Sequence, residues 1–513
     1  MNNLRVVLLN PPTAPPSPEP LLNLGYLAAV LRARGHDVRI VDGTAPHAYK
    51  SPEEIEKIIS QYCPDFIGIT LTITNVIASY EYIRNLKKHN IPVVLGGPHP
   101  NSRPHESLDN GGDIVCIGEG EGTILELAEY YQGQRELKTV KGICFKDEGG
   151  KIVFTEPRSL IKELDTLPFP DFKDFRIEDY SGSSDPMSNP IFWSVFSSRG
   201  CPFNCIFCSS HTAFGRTMRV RSAENVFGEI KSLVEKYKIQ SVAFQDDEIL
   251  CKKDRFYRFC DLIAESGLKL KMSIRTRIDS IDLESLQRAK QAGITRISFG
   301  IESWDDETLR KINKRYDVKT IHQRFGYLSQ TQPIHISFNV LVGFPWENRK
   351  HYQNILNEIK KIPGNVRFFM IVVYPIPYPE TKLYDDYHKQ FGFTDWWLDS
   401  TKHNPLTYPP SHSTRPFFVY FAGSFIPLYV KDLYWNYSKE RQADIEWFSW
   451  AAFKVFSRRH FNLFEYVLVT SLCRVSYWLS SRNKKLEYRI LAPLANLSYF
   501  KNLRDKVSFS NKY

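Results

Sequence analysis

The chain has 513 residues, 67 Lys and Arg against 57 Asp and Glu, and nine cysteines. At about 150 residues per domain this length points to three domains and excludes a single core. Nine cysteines in so long a chain make no disulfide framework, which places the protein in a reducing, cytoplasmic setting. The net charge of +10 sits wholly in residues 401–513, which carry 17 basic and 7 acidic side chains, so residues 1–400 are balanced.

The N-terminus runs from Met1-Asn2-Asn3-Leu4-Arg5 into the short apolar segment Val6-Val7-Leu8-Leu9, with no small-residue cleavage site, and reads as a first strand and not a signal peptide. Residues 1–135 then alternate. Helical periodicity at Leu24–Leu31, 52–62, 76–89 and 123–131 separates apolar runs at 38–41, Phe66–Thr70, 92–95 and 114–117. Such alternation predicts a doubly wound, Rossmann-like α/β domain with a parallel sheet. Ligands of these sheets lie at the carboxyl ends of the strands, so the informative loops are Asn10-Pro11-Pro12-Thr13, Asp42-Gly43-Thr44, Thr70-Leu71-Thr72, Gly96-Gly97-Pro98-His99 and Gly118-Glu119-Gly120-Glu121. Their glycines let backbone approach a large ligand. No G-x-G-x-x-G follows the first strand, which weighs against a dinucleotide.

Residues 136–190 form a connector: a hairpin predicted around Asp147-Glu148-Gly149-Gly150, then the aperiodic, proline-bearing Leu164–Pro170. Over 191–390 helix and strand patterns alternate again through about six βα units, which predicts an incomplete, (β/α)6-type barrel. Polar residues gather past its strand ends, at Gln245-Asp246-Asp247-Glu248, Arg275-Thr276-Arg277, Ile301-Glu302-Ser303 and Gly343-Phe344-Pro345.

Between the first barrel strand and its helix lies Ser198-Arg199-Gly200-Cys201-Pro202-Phe203-Asn204-Cys205-Ile206-Phe207-Cys208. Clustered thiols select soft metals. With His211 as a fourth ligand the trio would make a Cys3His zinc site. Held by three cysteines alone, an iron–sulfur cube keeps one iron open to a small molecule. Cys201-x3-Cys205-x2-Cys208 resembles the signature of the radical S-adenosylmethionine (SAM) enzymes, and Phe244-Gln245-Asp246-Asp247, Gly300-Ile301-Glu302-Ser303 and Leu341-Val342-Gly343-Phe344-Pro345 resemble motifs of that family at matching strands. The order of the N-terminal loops resembles the cobalamin-binding domain that precedes the barrel in one large branch.

The resemblance spans roughly residues 1–385. It implies a [4Fe-4S] cluster on Cys201, Cys205 and Cys208, and SAM on the open iron with Phe207 beside the adenine. Asp246, Arg275 and Glu302 are its implied SAM contacts; each is equally readable as a solvated charge or a salt-bridge partner. Cobalamin would lie among Thr13, Thr70, Thr72, Gly96, Gly97, Gly118, Glu119 and Gly120. Asp42 is followed by Gly43-Thr44 in place of a lower axial histidine, and His47 is displaced, so the implied cobalt has no protein histidine ligand. A flavodoxin-like domain that only packs on the barrel is the plainer reading. The implied activity is reductive cleavage of SAM to a 5′-deoxyadenosyl radical and methylation of an unactivated carbon, with cyclisation or rearrangement as other outcomes in this branch. A flavodoxin or ferredoxin would supply the electron.

Residues 391–513 change character: Trp396, Trp397, Trp435, Trp447, Trp450 and Trp478 are interleaved with the excess basic charge. Phe417–Val430 is too short to span a membrane. Residues 443–480 pattern as an amphipathic helix or helix pair in a mainly α-helical region, suited to peripheral contact with an anionic membrane, to a lid over a lipid-like substrate, or to plain packing on the barrel. Aromatic and basic side chains also suit RNA, but no recognisable module supports nucleic acid. A zinc-stabilised binding protein without turnover is the alternative from another class.

Overall fold

A computed structural model describes residues 3–12, 19–45, 48–73, 76–176, 179–180, 193–331, 334–366 and 368–399, and, within 440–452, residues 440, 441, 443–445, 447, 448, 451 and 452. Thr13 and nearly all of the basic, aromatic C-terminal third lie outside the described residues.

The first sheet has seven strands in the order β2-β1-β3-β4-β5-β6-β7. Its parallel part is β1 (Arg5–Asn10), β2 (Asp37–Asp42), β3 (Phe66–Thr70), β4 (Val93–Gly96) and β5 (Ile114–Cys116). The order 2-1-3-4-5 is flavodoxin-like, with its switch point between β1 and β3. Helices α1 (Leu22–Ala33), α2 (Pro52–Tyr62), α3 (Val76–Leu86), α4 (Pro98–Ser102), α5 (Pro104–Asp109) and α6 (Gly120–Tyr131) connect these strands. Local sequence dictates α2. Ser51 and Glu54 form a reciprocal capping box, and Pro52 occupies the first turn, where its missing N–H costs nothing. The expected hairpin forms as β6 (Ile143–Lys146) and β7 (Ile152–Phe154), but it extends the first sheet antiparallel from β5 instead of standing apart as a connector. Pairing covers the β5 edge, which would otherwise be exposed.

The second sheet is six-stranded and wholly parallel, in the order β15-β14-β13-β12-β11-β8. Its strands are β8 (Trp193–Val195), β11 (Ser241–Phe244), β12 (Lys271–Thr276), β13 (Ile294–Glu302), β14 (His335–Leu341) and β15 (Phe368–Val373). Two-residue strands β9 (Ser198–Arg199) and β10 (Arg219–Val220) pair beside it. Its helices are α7 (Ser210–Phe214), α8 (Ala223–Tyr237), α9 (Lys253–Ser266), α10 (Leu283–Gln291), α11 (Asp306–Lys311), α12 (Val318–Gln330), α13 (Arg349–Ile359) and α14 (Lys382–Phe391). With β8 and β15 as edges, the sheet is the open barrel that the sequence pattern predicts. Alternate strand residues part cleanly. Met272, Ile274, Ile297, Ile336 and Phe338 are buried core, whereas Ala243, Ser273, Arg275, Arg296, Ser298, Ser337 and Asn339 line an interior cavity.

The two sheets are locked together by a buried ionic cluster. Arg199 of β9 reaches Glu119 at 2.8 Å and also pairs with Glu121, its guanidinium lying 5.2 Å from the centre of the Tyr26 ring of α1. Arg219 of β10 bonds both Glu119 oxygens. Among the described residues, no helix is long and apolar enough to cross a membrane.

Candidate active site

The cysteine loop is held from three sides. Gly200, at φ +85°, leaves β9 where a Cβ would come within 2.5 Å of the Thr217 carbonyl oxygen, so only glycine fits. Asp246, just past β11, accepts from the Ser197 N–H at 3.0 Å and from the hydroxyls of Ser197 and Ser198. Ile206 donates its N–H to Ile312 and accepts from Leu383, while Asn313 donates to the Asn204 carbonyl at 2.7 Å. Side chains and backbone from the segments after β11, β13 and β15 therefore fix the chain that carries Cys201, Cys205 and Cys208.

All three cysteines line a cavity of about 620 Å³ at the carboxyl ends of the barrel strands, together with Phe207, Arg275 and Glu302. Asp246 does not face that cavity. Its carboxylate is consumed by Ser197 and Ser198, and Asp247 is the acidic neighbour that lines the wall. The sequence offered two adjacent aspartates, and the direction in which each one points was set by the turn after β11. Glu302 ends β13 in a left-handed conformation (φ +68°) at a break in the β13–β14 register. A non-glycine residue held there is strained, and such strain concentrates at functional positions. Its carboxylate meets Lys314 Nζ at 3.2 Å, and Lys314 also donates to the Gly300 carbonyl at 2.8 Å. Arg277, which also lines the cavity, stacks 3.8 Å from the centre of the Phe203 ring and is tied to Asp279, so it supports the cysteine loop.

Burial pushes the Cys201 thiol up to about 12 and raises that of Cys208. Thiolates in such a place need a cation to hold them, and a coordinating metal supplies it. Among the described residues, no three His, Cys, Asp or Glu side chains converge as the ligands of a single metal ion. His211 turns Nδ1 to the Cys208 carbonyl, 3.1 Å away. A mononuclear zinc site needs ligands aimed at one point, whereas a cube spreads its three cysteines over three irons. The donor set fits the cube.

Two elements that the sequence patterns left unassigned complete the site. Glu19, from the first domain, lines the cavity and accepts from Ser194 and from Gln245 Nε2 at 2.9 Å. Glu347, after β14, is buried and accepts from the Gly343 and Phe344 N–H groups; burial carries its carboxyl up to about 8 against those bonds and Arg441. Arg441 donates to the Phe344 and Glu347 carbonyls, and Phe344 sits 6.3 Å from Phe207. No motif marks either carboxylate.

At the first sheet, Thr70, Thr72, Gly96, Gly97, Gly118 and Gly120 fall at the carboxyl ends of the strands. Gly97 (φ +99°) lies so close to the β3 loop that a Cβ would come within 2.8 Å of the Leu71 carbonyl oxygen. At Gly118 (φ +84°) an added Cβ would meet nothing within 4 Å, so the backbone there forms an open ledge of the kind a large ligand can approach. Asp42 is saturated by Asn10, Thr44 and Tyr180, and His99 is buried with Nε2 between Tyr80 and Glu106. Glu119 departs from its expected role beside cobalamin: its carboxylate is the interdomain clamp on Arg199 and Arg219 and also accepts from the Ile161 N–H.

Family models match on both sheets: a B12 binding domain over residues 15–128 and the radical SAM superfamily over 195–359. An uncharacterised methyltransferase of Pyrococcus horikoshii is 32% identical over 401 residues, covering 75% of this chain and 83% of the relative. The chain belongs to the cobalamin-binding radical SAM enzymes. The cytidylyl-2-hydroxyethylphosphonate methyltransferase of Streptomyces wedmorensis is 28% identical, covering 66% of this chain and 73% of that one. The structure of the radical SAM methyltransferase TsrM from Kitasatospora setae with cobalamin and a [4Fe-4S] cluster bound superposes with a TM-score of 0.62 at 18% identity, covering 76% of this chain and 75% of TsrM, which is a likeness of fold. Membership in this family brings its three cofactors, a [4Fe-4S] cluster, SAM and cobalamin.

Proposed function

We propose that this radical SAM enzyme transfers a methyl group to an unactivated carbon of a small biosynthetic intermediate. The observation that carries the reading is the placement of Cys201, Cys205 and Cys208 in the wall of the barrel cavity, beside a cobalamin-type sheet clamped to the strands flanking the same loop by Glu119, Arg199 and Arg219. Cys201, Cys205 and Cys208 would hold the cluster. SAM would meet Phe207, Arg275, Asp247 and Glu302. Cobalamin would lie over Thr70, Thr72, Gly96, Gly97, Gly118 and Gly120, with residues near Thr13 closing the β1 side. When bound, the cluster and SAM supply one-electron hydrogen abstraction, and cobalamin supplies a transferable methyl group.

The chain's own residues orient and enclose. Asp246 holds the cysteine loop through Ser197 and Ser198 and Arg277 through Phe203, Lys314 fixes Glu302 at the wall, and the Gly343–Glu347 turn carries Phe344 beside Phe207. A small reduced flavodoxin or ferredoxin supplies the electron. The lipid-like substrate and peripheral membrane contact suggested by the basic, aromatic tail rest on residues mostly outside the described ones; the described cavity supports a polar contact with at least part of the substrate.

Anaerobic reconstitution with iron, sulfide and cobalamin tests the reading. The wild type should bind about four irons per chain, cleave SAM to 5′-deoxyadenosine under a reductant, and carry methyl label from SAM into its corrinoid. Replacing all three cysteines by alanine should abolish the iron and the cleavage. Iron-loaded wild type that leaves SAM intact overturns it.

A further inference from the structure

One loop of the first domain, between β5 and α6, holds the cysteine stretch at both of its ends. On the near side Glu119 pairs with Arg199, which lies two residues before Cys201. On the far side the link runs through Asn101 of α4. Its Oδ1 accepts from the Gly118 N–H at 2.8 Å, and its Nδ2 donates to the Thr212 carbonyl at 2.6 Å. Thr212 belongs to α7, four residues after Cys208. That short helix is itself tied back to the cysteine loop. Thr212 donates its N–H and its hydroxyl to the Ser209 carbonyl at 2.9 and 2.8 Å, and His211 Nδ1 lies 3.1 Å from the Cys208 carbonyl.

The two backbone groups that Asn101 meets are ones that regular structure leaves open. Gly118 follows β5 and precedes α6, so its N–H belongs to neither the ladder nor the helix. The Thr212 carbonyl falls in the last turn of α7, which ends at Phe214 and turns away at Gly215 (φ +69°), and the end carbonyls of a helix have no partner within it. One of these groups can only donate and the other can only accept, so the side chain between them must do both. A primary amide does. A carboxylate of the same size only accepts, and alanine does neither. Asn101 also sits one turn after Gly97 and donates its own N–H to the Gly97 carbonyl at 3.2 Å. The amide therefore joins the loop after β4, the loop after β5 and the helix after the cysteines.

We propose that Asn101 is a positioning residue: its amide sets the spacing between the glycine ledge of the first sheet and the cysteine loop, and through them the spacing of the two cofactors they carry. It acts through Gly118 and α7. The inference rests on the placement of cobalamin and the cluster given under the proposed function. Two cofactors that serve one substrate carbon must be held in register, because a displacement of about 1 Å can cost about 100-fold in rate.

The test compares the full-length wild type, Asn101→Ala and the isosteric Asn101→Asp. Without cofactors, hydrogen exchange is read by mass spectrometry on peptides covering 117–121 and 209–215. Asn101→Ala should speed exchange in both by about 5-fold, the scale of one lost hydrogen bond. Asn101→Asp, which keeps the acceptor, should speed only the second. After reconstitution with iron, sulfide and cobalamin, pulsed electron paramagnetic resonance reads the dipolar coupling between cob(II)alamin and the reduced cluster. The wild type should give one narrow coupling, and both variants, at wild-type iron and cobalamin content, a broader one. Unchanged exchange in Asn101→Ala, or couplings of equal width in all three proteins, overturns the positioning role. Variants whose sole change is lost iron or cobalamin overturn it too, since the bridge would then serve the fold and not the spacing. Cobalamin should also slow exchange of 117–121 in the wild type. Bound cobalamin that leaves this peptide unprotected sinks the cofactor placement beneath the proposal.

Discussion

The two parallel sheets use their carboxyl ends in opposite ways. At the first sheet the side chains with chemistry are turned inward and spent: Asp42 on Asn10, Thr44 and Tyr180, His99 on Tyr80 and Glu106, Glu119 on two arginines of the barrel. What remains beside Thr70 and Thr72 includes open backbone, with Gly97 and Gly118 in conformations that suit glycine. At the second sheet the side chains Arg275, Arg296, Asp247 and Glu302 line a cavity. A large cofactor can be received by shape and main chain, whereas a small reacting ligand must be oriented by charge. The interface between the sheets carries a buried ionic cluster of Glu119, Glu121, Arg199 and Arg219, so the relative position of the two ligand sites depends on electrostatics that a single substitution can break.

The clamp is the point of greatest leverage. Glu119→Gln leaves Arg199 and Arg219 buried with one carboxylate, Glu121, in place of two; removing one partner of a buried ion pair typically costs about 3–5 kcal/mol. The thermal unfolding midpoint of the apo-protein should fall sharply. Because the cluster is shielded from solvent, the drop should be nearly independent of salt up to about 0.5 M, well beyond the range where exposed pairs are screened. A drop that added salt erases would show the pair to be a surface contact.

Glu347 offers a smaller, pH-dependent effect on the barrel side alone. Its folded carboxyl titrates at about 8 against 4.5 for the free side chain. The folded protein therefore keeps a proton that the unfolded chain releases, and the stability this gives is present below about 4.5 and is lost as pH rises toward about 8. At about 1.4 kcal/mol per pKa unit, the loss amounts to a few kcal/mol. Glu347→Gln should flatten the dependence: unfolding midpoints measured from pH 5.5 to 8.5 should diverge in favour of the variant as pH rises. Parallel curves would refute the assignment.

The gentlest probe addresses the first sheet. Gly118→Ala places a Cβ in a left-handed conformation, a strain of about 1 kcal/mol, in space that is open without a ligand. Stability should change by no more than that amount, while cobalamin affinity, followed by corrinoid absorbance after dialysis, should drop several-fold. Unchanged retention of cobalamin would remove Gly118 from the cobalamin surface without touching the barrel.

Much of this was legible in the chain. Apolar runs and period-3.6 patterns located the strands of the two large sheets, though not the two-residue strands Ser198–Arg199 and Arg219–Val220, because apolar patterning is a local property. The helices Val318–Gln330 and Arg349–Ile359 lacked an assignment, their few apolar positions being scattered among charged and polar residues, though Asp317 and Asn348 cap them in plain sight. The cysteine spacing named the cluster because three thiols within eight residues have few other uses.

What sequence could not give was direction. Which of Asp246 and Asp247 faces the cavity is decided by the turn after β11 and its bonds to Ser197 and Ser198, while Glu119 meeting an arginine 80 residues away and Glu19 crossing from one domain into the other's barrel are decided by how the two sheets pack. The sequence determined which chemical groups the protein owns and which elements carry them, since both follow from neighbours along the chain. Only the tertiary structure decided which charges neutralise one another and which are left facing a ligand, because burial and pairing depend on residues brought together from distant segments.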